Sequence, residues 1–263
     1  MKIHHLRSAT FVIESNDKFI LIDPMLAEKG TLPPFSVFRY KAKKNPTVDL
    51  PENADAILSK VTHALITHSQ TFNFKPLQHI DHLDKSGEAF LAGKNIPVAT
   101  PAKDKAYLEK YGMTVEQGVA DWETAEFAGG RVTAVPALHG HGWVSKVSAN
   151  GCGFYLELPG EPSIYVSGDT VLTDDVKRAL TELKPDIAVV AAGQARLDVG
   201  QSLLMPKDEV IEFIRLAPGK VVANHMEALN HCPVDRKILR DSVVMQGLED
   251  KVMIPADGEV LEV

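Results

Sequence analysis

The sequence predicts an α/β architecture: one domain over residues 1–263, with sheets covered by helices. Two observations carry this. Short apolar runs of strand type dominate the first part of the chain, and strands alternate with helical segments in the second. In addition, no fixed-period repeat or low-complexity linker divides the 263 residues.

The elements follow in order. Thr10-Phe11-Val12-Ile13 and Phe19-Ile20-Leu21-Ile22 flank a polar stretch at residues 15–18 and read as a hairpin, ended by Asp23-Pro24. Residues 25–55 have no period, four prolines and the basic cluster Arg39, Lys41, Lys43 and Lys44; they read as a lid or binding loop, or else as a solvated excursion. Strands are expected at 61–67 and 94–99. A helix is expected over 102–111, stopped by Gly112. Strands at 131–135, 153–158 and 163–166 come next. Thr173 then caps a helix that runs to about Leu183, with Asp174 and Asp175 in its first turn. A strand at 186–190, helices starting near Pro206 and Pro233, and a strand at 220–223 between them complete the alternation. Residues 251–254 and 259–263 read as a closing hairpin around Ala256-Asp257-Gly258.

Composition narrows the function classes. Hydrophobic content of 44% and charged content of 24% suit a globular core. A net charge of −7 disfavours nucleic acid as a partner. Two cysteines, Cys152 and Cys232, are too few for a disulfide framework and read as reduced thiols of a cytosolic protein. No apolar run suggests a signal peptide or a membrane span. A cytoplasmic protein acting on a small molecule is expected; homo-oligomerisation is left open.

Ten histidines remain to be explained. His79-Ile80-Asp81-His82 packs three metal-type ligands into four residues, followed by Asp84. On a helix, residues 79 and 82 would share a face and Asp81 would not, so a loop wrapping a metal site is expected. Four more metal-type residues fall just past predicted strands: His68, His139, Asp169 and His225. A single histidine there is ordinarily a surface or capping residue. Four such positions and one dense cluster in one chain point to a metal centre held by a rigid sheet. On its strand His63 points away from the face of His68, so it is left out. His141 and His231 stay unassigned, to be explained by a local hydrogen bond or a substrate contact, and His4 and His5 read as structural.

Together, Thr67-His68, His79-Ile80-Asp81-His82-Leu83-Asp84, His139, Gly168-Asp169-Thr170 and His225 resemble the metallo-β-lactamase superfamily of hydrolases. The start, Ile3 to Thr10 and then Leu21-Ile22-Asp23-Pro24, looks most like the branch of L-ascorbate-6-phosphate lactonases. The resemblance spans nearly the whole chain. It implies a four-layer αββα sandwich of two mixed β-sheets flanked by helices. It also implies that His68, His79 and His139 hold one divalent metal, that Asp81, His82 and His225 hold a second, and that Asp169 bridges them. Zn is the expected metal, with Mn or Fe compatible with the same ligands. Asp23 and Asp84 match positions that support the ligands. The chain departs from the family pattern in one place. Ten residues, 69–78, separate His68 from His79 where the pattern has one; the insertion contains Phe72, Phe74 and Pro76 and either loops out or displaces His68, for which Gln70 or Asn73 would be a poor substitute.

A metal pair about 3.5–4 Å apart would bridge a hydroxide that attacks an ester, lactone or phosphodiester, with Asp81 as the catalytic carboxylate that orients it and shuttles a proton. The substrate is expected to be small and anionic, drawn by Arg39–Lys44 or Arg196. The alternatives are a degenerate metal-binding scaffold without turnover and a nuclease-type phosphodiesterase. No G-x-S-x-G elbow offers a serine nucleophile. If Asp169 bridges the metals, Asp169→Ala abolishes binding of the pair, as elemental analysis of the purified protein would register. If the strand-face argument holds, His63→Ala leaves the metal count per chain unchanged.

Overall fold

The computed structural model describes residues 1–71, 74–75, 78–146, 148 and 151–263. Its strands are β1 (Lys2–Arg7), β2 (Thr10–Ser15), β3 (Lys18–Ile22), β4 (His63–Leu65), β5 (Pro97–Pro101), β6 (Thr114–Val119), β7 (Thr124–Phe127), β8 (Gly130–Pro136), β9 (Cys152–Glu157), β10 (Ile164–Val166), β11 (Ile187–Ala191), β12 (Lys220–Asn224), β13 (Val252–Met253) and β14 (Val260–Glu262). Its helices are α1 (Ala54–Leu58), α2 (Lys85–Gly93), α3 (Lys105–Lys110), α4 (Asp174–Arg178), α5 (Lys207–Leu216) and α6 (Arg236–Met245).

The strands form two seven-stranded sheets, ordered β14-β1-β2-β3-β4-β5-β6 and β13-β12-β11-β10-β9-β8-β7. Each is mixed. In the first, β14 to β3 run antiparallel and β3 to β6 parallel. In the second, β13 to β10 are parallel and β10 to β7 antiparallel.

Alternation of side chains along the strands sorts the core into three apolar layers. Ile20 and Ile22 of β3 face the second sheet, where Ile187 and Val189 of β11 meet them in one buried cluster. Leu21 points the other way and packs with Ile57, Leu91 and Leu108 from α1, α2 and α3. Ala188 and Val190 likewise point out, against Val176, Phe213 and Leu239 from α4, α5 and α6. Strands buried on both faces read as continuous apolar runs because both neighbouring layers are dry. The αββα sandwich follows directly from these three layers.

The structure revises the reading at several elements. The closing hairpin does not form: β13 pairs with β12 in one sheet and β14 with β1 in the other. Turn chemistry at Asp257-Gly258 marks a crossing between sheets instead. Pro206 stands at the N-cap of α5 rather than inside it, and α6 starts two residues beyond Pro233's neighbour Val234, where Asp235 accepts from the Ile238 amide. Strands β1, β6 and β7 and the helices α1 and α2 were not expected. β1 hides behind its two histidines: His4 pairs with Glu14 at 2.6 Å and His5 with Asp257 at 3.4 Å. α2 is opened by Asp84, whose carboxylate caps the Gly87 amide at 2.8 Å and also receives the Ala27 amide at 2.6 Å.

Before α1, the stretch 25–53 is irregular but anchored. The Asn230 side chain takes the Phe35 amide at 2.9 Å, bonds the Asn45 side chain at 3.2 Å and gives an N–H to the Ser36 carbonyl. The Asp198 carboxylate receives the Ser36 hydroxyl and the amides of Val37, Phe38 and Arg39. Among the described residues, no helix is long and apolar enough to cross a membrane.

Candidate metal centre

Four strand ends converge on one edge of the sandwich. β4 leads into Thr67-His68, β8 into His139, β10 into Asp169 and β12 into His225. The fifth contribution is the turn at residues 79–82, closed by the His82 and Leu83 amides bonding to the His79 carbonyl at 3.0 and 2.9 Å. It is a single turn, as the spacing of its ligands requires. Close backbone approach fixes two of the histidines. A Cβ on Gly151 would lie 2.6 Å from the Cβ of His68, and one on Gly193 would lie 2.1 Å from the His225 carbonyl oxygen. Only glycine permits either contact. His225 itself has φ +57° and Asp23 φ +44°, left-handed conformations that cost non-glycine residues on the order of 1 kcal/mol and cluster at functional sites.

All seven sequence-predicted ligands come together, in two groups: His68, His79 and His139; and Asp81, His82, Asp169 and His225. Within each group one ligand atom per residue lies within 4.8 Å of every other. Asp169 stands between the groups, its Oδ2 3.1 Å from His82 Nε2 and 3.6 Å from His139 Nε2, and its Oδ1 3.5 Å from His225 Nε2.

The two ends of the insertion are held together, and His68 lies beside His79. Gln70 bridges to Gln78, the His79 amide bonds the Ser69 carbonyl at 2.9 Å, and the buried Asp104 carboxylate takes the Ser69 amide and hydroxyl. The ends are thereby pinned side by side, and His68 Nε2 reaches 3.1 Å from His79 Nδ1. Gln70 gives an N–H of its side-chain amide to Asp104. Phe72, Asn73 and Pro76 lie outside the described residues.

The outer ring nitrogens show how the imidazoles are oriented. His82 Nδ1 donates to Asp23 Oδ2 at 2.9 Å, and His139 Nδ1 to the Leu203 carbonyl at 3.1 Å. Both partners only accept, so Nδ1 carries a proton in each ring and Nε2 is the nitrogen turned toward the centre. His68 Nδ1 lies 3.1 Å from the Thr67 hydroxyl, and His225 Nδ1 3.8 Å from the Cys232 thiol. Asp23 also receives the Thr67 amide and hydroxyl, each at 2.8 Å. Asp84 touches no site histidine; its support is to α2 and the Ala27 amide.

These residues fit a divalent cation. Burial pushes His68 well below the ordinary histidine range and His79 down to about 4, so both rings are neutral and can give lone pairs. Burial opposes the charge on Asp169 too, yet His82 and His225 hold its carboxyl well below the usual range. Against its own burial, His82 is pushed well above the histidine range by Asp169 and Asp23. Negative charge at the heart of the group thus draws a positive one to itself. Asp169 Oδ1 is buried with no hydrogen-bond donor. A carboxylate oxygen left so in a protein interior marks a site for a cation.

Above this floor lies a cavity of about 320 Å3, walled by Phe35, Ile80, Leu197, Leu203 and His231 and bordered by Thr71, Gln78 and Ser148. The 25–55 segment therefore contributes a wall through Phe35, whose ring meets that of His231 edge-on at 4.9 Å. Sequence reasoning missed Phe35, Leu197 and Leu203, which lie in aperiodic loops, and left His231 open. His141 pairs with Glu209 at 2.7 Å, and His63 sets its ring edge-on against Phe127 in the layer between the sheets.

The family described as "Beta-lactamase superfamily domain" matches residues 18–238. The UPF0173 protein YddR of Bacillus subtilis (strain 168) is 34% identical over 262 residues, 98% of each chain. Two solved structures align over 100% of this chain and 99% of their own. One, from Veillonella parvula DSM 2008, is described as a possible metal-dependent hydrolase, with TM-score 0.88 and 28% identity. The other is an isothiocyanate hydrolase from Delia radicum gut bacteria, with TM-score 0.86 and 29% identity. Other UPF0173 relatives, among them one from Alkaliphilus metalliredigens (strain QYMF) that is 27% identical over 226 residues, 84% of this chain and 82% of its own, carry the name metal-dependent hydrolase. The chain belongs to the β-lactamase superfamily and is a metal-dependent hydrolase of the metallo-β-lactamase fold.

Proposed function

We propose that the enzyme adds water at the carbon of a small, neutral electrophile, an isothiocyanate or an uncharged lactone, and that His68, His79 and His139 would hold one metal and Asp81, His82 and His225 a second, with Asp169 available to both. The observation that carries this reading is the cavity: small, mostly apolar, and without a lysine or arginine among its described lining residues. A phosphorylated sugar lactone or a phosphodiester would call for cations in that wall, and Arg39 instead reaches the Gly200 carbonyl outside it. The likeness to an isothiocyanate hydrolase over the full chain supports the same class.

When bound, the metal pair supplies Lewis acidity and acidifies water toward neutral pH. Five imidazoles and two carboxylates suit Zn, and Mn or Fe accept the same donors. The chain's own groups do the rest. Asp81 lines the floor of the cavity, and although burial opposes its charge, His82 and His79 draw its carboxyl below the ordinary range. It is therefore ionised and able to take the proton of the attacking water. Burial holds His231 down to about 4, so its ring is neutral near pH 7 and offers one N–H to the heteroatom of the substrate. The apolar walls exclude competing water. For an isothiocyanate, oxygen goes to carbon and the proton to nitrogen, and the resulting thiocarbamic acid releases carbonyl sulfide and an amine.

Metal-loaded protein assayed against isothiocyanates, uncharged lactones, phosphorylated lactones and phosphodiesters is expected to turn over the neutral compounds first; preference for a phosphodiester refutes the assignment. Asp23→Ala is expected to weaken metal affinity about 10–100-fold in a chelator competition, because His82 loses the partner that fixes its ring. Unaltered affinity would remove His82 from the ligand set.

A further inference from the structure

Ten large apolar side chains are exposed among the described residues, and five of them lie in loops beside the cavity. Val37, Phe38, Trp143, Leu197 and Val199 form one rim, with Phe38 89% exposed, Val199 70% and Trp143 56%. They are contiguous. Asp198, between Leu197 and Val199, receives the amides of Val37 and Phe38, and a Cβ on Gly200 would lie 3.4 Å from the Trp143 ring. The Asp198 and Asn230 side chains hold the 35–45 segment from beneath, so Phe38 is presented outward rather than free to fold in.

Charge is sorted on the same loop. Between Lys29 and Val48 there is no Asp or Glu, while Arg39, Lys41, Lys43 and Lys44 are all exposed, on a chain whose net charge is −7. Asp198, the carboxylate that holds the Phe38 amide, also accepts the Ser36 hydroxyl and the amides of Val37 and Arg39. Aromatic side chains set beside a cluster of cations match the boundary of an anionic bilayer, where apolar side chains enter the headgroup layer and each basic residue meets lipid charge. Pairing with a second copy through the same rim would set these cations against their own duplicates.

We propose that this rim docks on an anionic lipid surface, with Val37 and Phe38 inserted, Trp143 at the headgroup level and the Arg39–Lys44 cluster against the lipid phosphates. The cavity mouth would then face the bilayer. The proposal does not depend on the reaction assigned to the metal centre.

The full-length protein, metal-loaded, is sedimented with vesicles of phosphatidylcholine and phosphatidylglycerol in equal parts, and with phosphatidylcholine alone. Expected is association with the mixed vesicles, weakening as salt shortens the Debye length, and weak or no association with the neutral ones. The Val37→Ser/Phe38→Ser variant is expected to lose about ten- to hundredfold in partitioning. Both residues are exposed, so its thermal unfolding should match the wild type. Lys43→Glu/Lys44→Glu is expected to abolish the preference for anionic vesicles. Absence of vesicle binding by the wild type overturns the proposal. So does binding indifferent to the serine variant, which would mark simple charge attraction, and so does a dimer that the serine variant converts to monomer, which would mark a contact between copies.

Discussion

Asp23 lies buried where the ends of β3 and β4 meet the turn at residues 79–82, and its carboxylate has no access to water. Its hydrogen bonds to the Thr67 amide and hydroxyl and to His82 Nδ1 satisfy a charge that would otherwise cost several kcal/mol to bury. Its own carbonyl accepts from the Thr10 hydroxyl at 2.6 Å, so β2 is tied in as well. Three chain segments, at Thr10, Thr67 and His82, are thereby fixed relative to one another by one residue. His68 follows Thr67, and His82 ends the turn that also carries His79 and Asp81. Four of the seven convergent ligands inherit their placement from this one set of bonds, and the left-handed backbone at Asp23 is tolerated because so many partners determine it.

The residues of the candidate metal centre were legible in the sequence because they sit where rigid elements end. A strand that is apolar on both faces announces itself, and a histidine or aspartate just past it inherits a fixed position from the sheet; His68, His139, Asp169 and His225 were found this way. The insertion could not be resolved by spacing, since whether ten residues loop out or displace His68 depends on Asp104, a residue on another element that ties Ser69 down. The substrate-facing wall was legible only as a lack of pattern. Phe35 and Leu197 have no periodic partners: Asn230, far along the chain, holds the Phe35 amide, and Asp198, next to Leu197, reaches back to the distant amides of Val37 and Phe38. His231 had nothing to distinguish it from any other loop histidine.

Strand type was legible where both faces are apolar and failed where one is not. β6 and β7 carry exposed polar positions between buried ones. β1 presents His4, His5 and Arg7, all buried, because its polar groups find partners inside: Arg7 donates to the Met25 and Ala27 carbonyls at 2.8 and 3.0 Å. An arginine enclosed in this way, its pKa lowered by burial, is invisible to any reading that equates charge with surface.

The two last strands enter opposite sheets, and β14 sets Glu262 beside Lys2 of the first strand. The residues that pair with β1 are thus made long after it. Until they emerge, one flank of β1 shows unpaired amides and carbonyls, a template for pairing with a neighbouring nascent chain. Closing that flank joins residues some 260 positions apart, a contact of the greatest sequence separation and slow to form. Yield in a fast-translating host would therefore be limited by aggregation of chains awaiting their last strand, not by the stability of the finished sandwich.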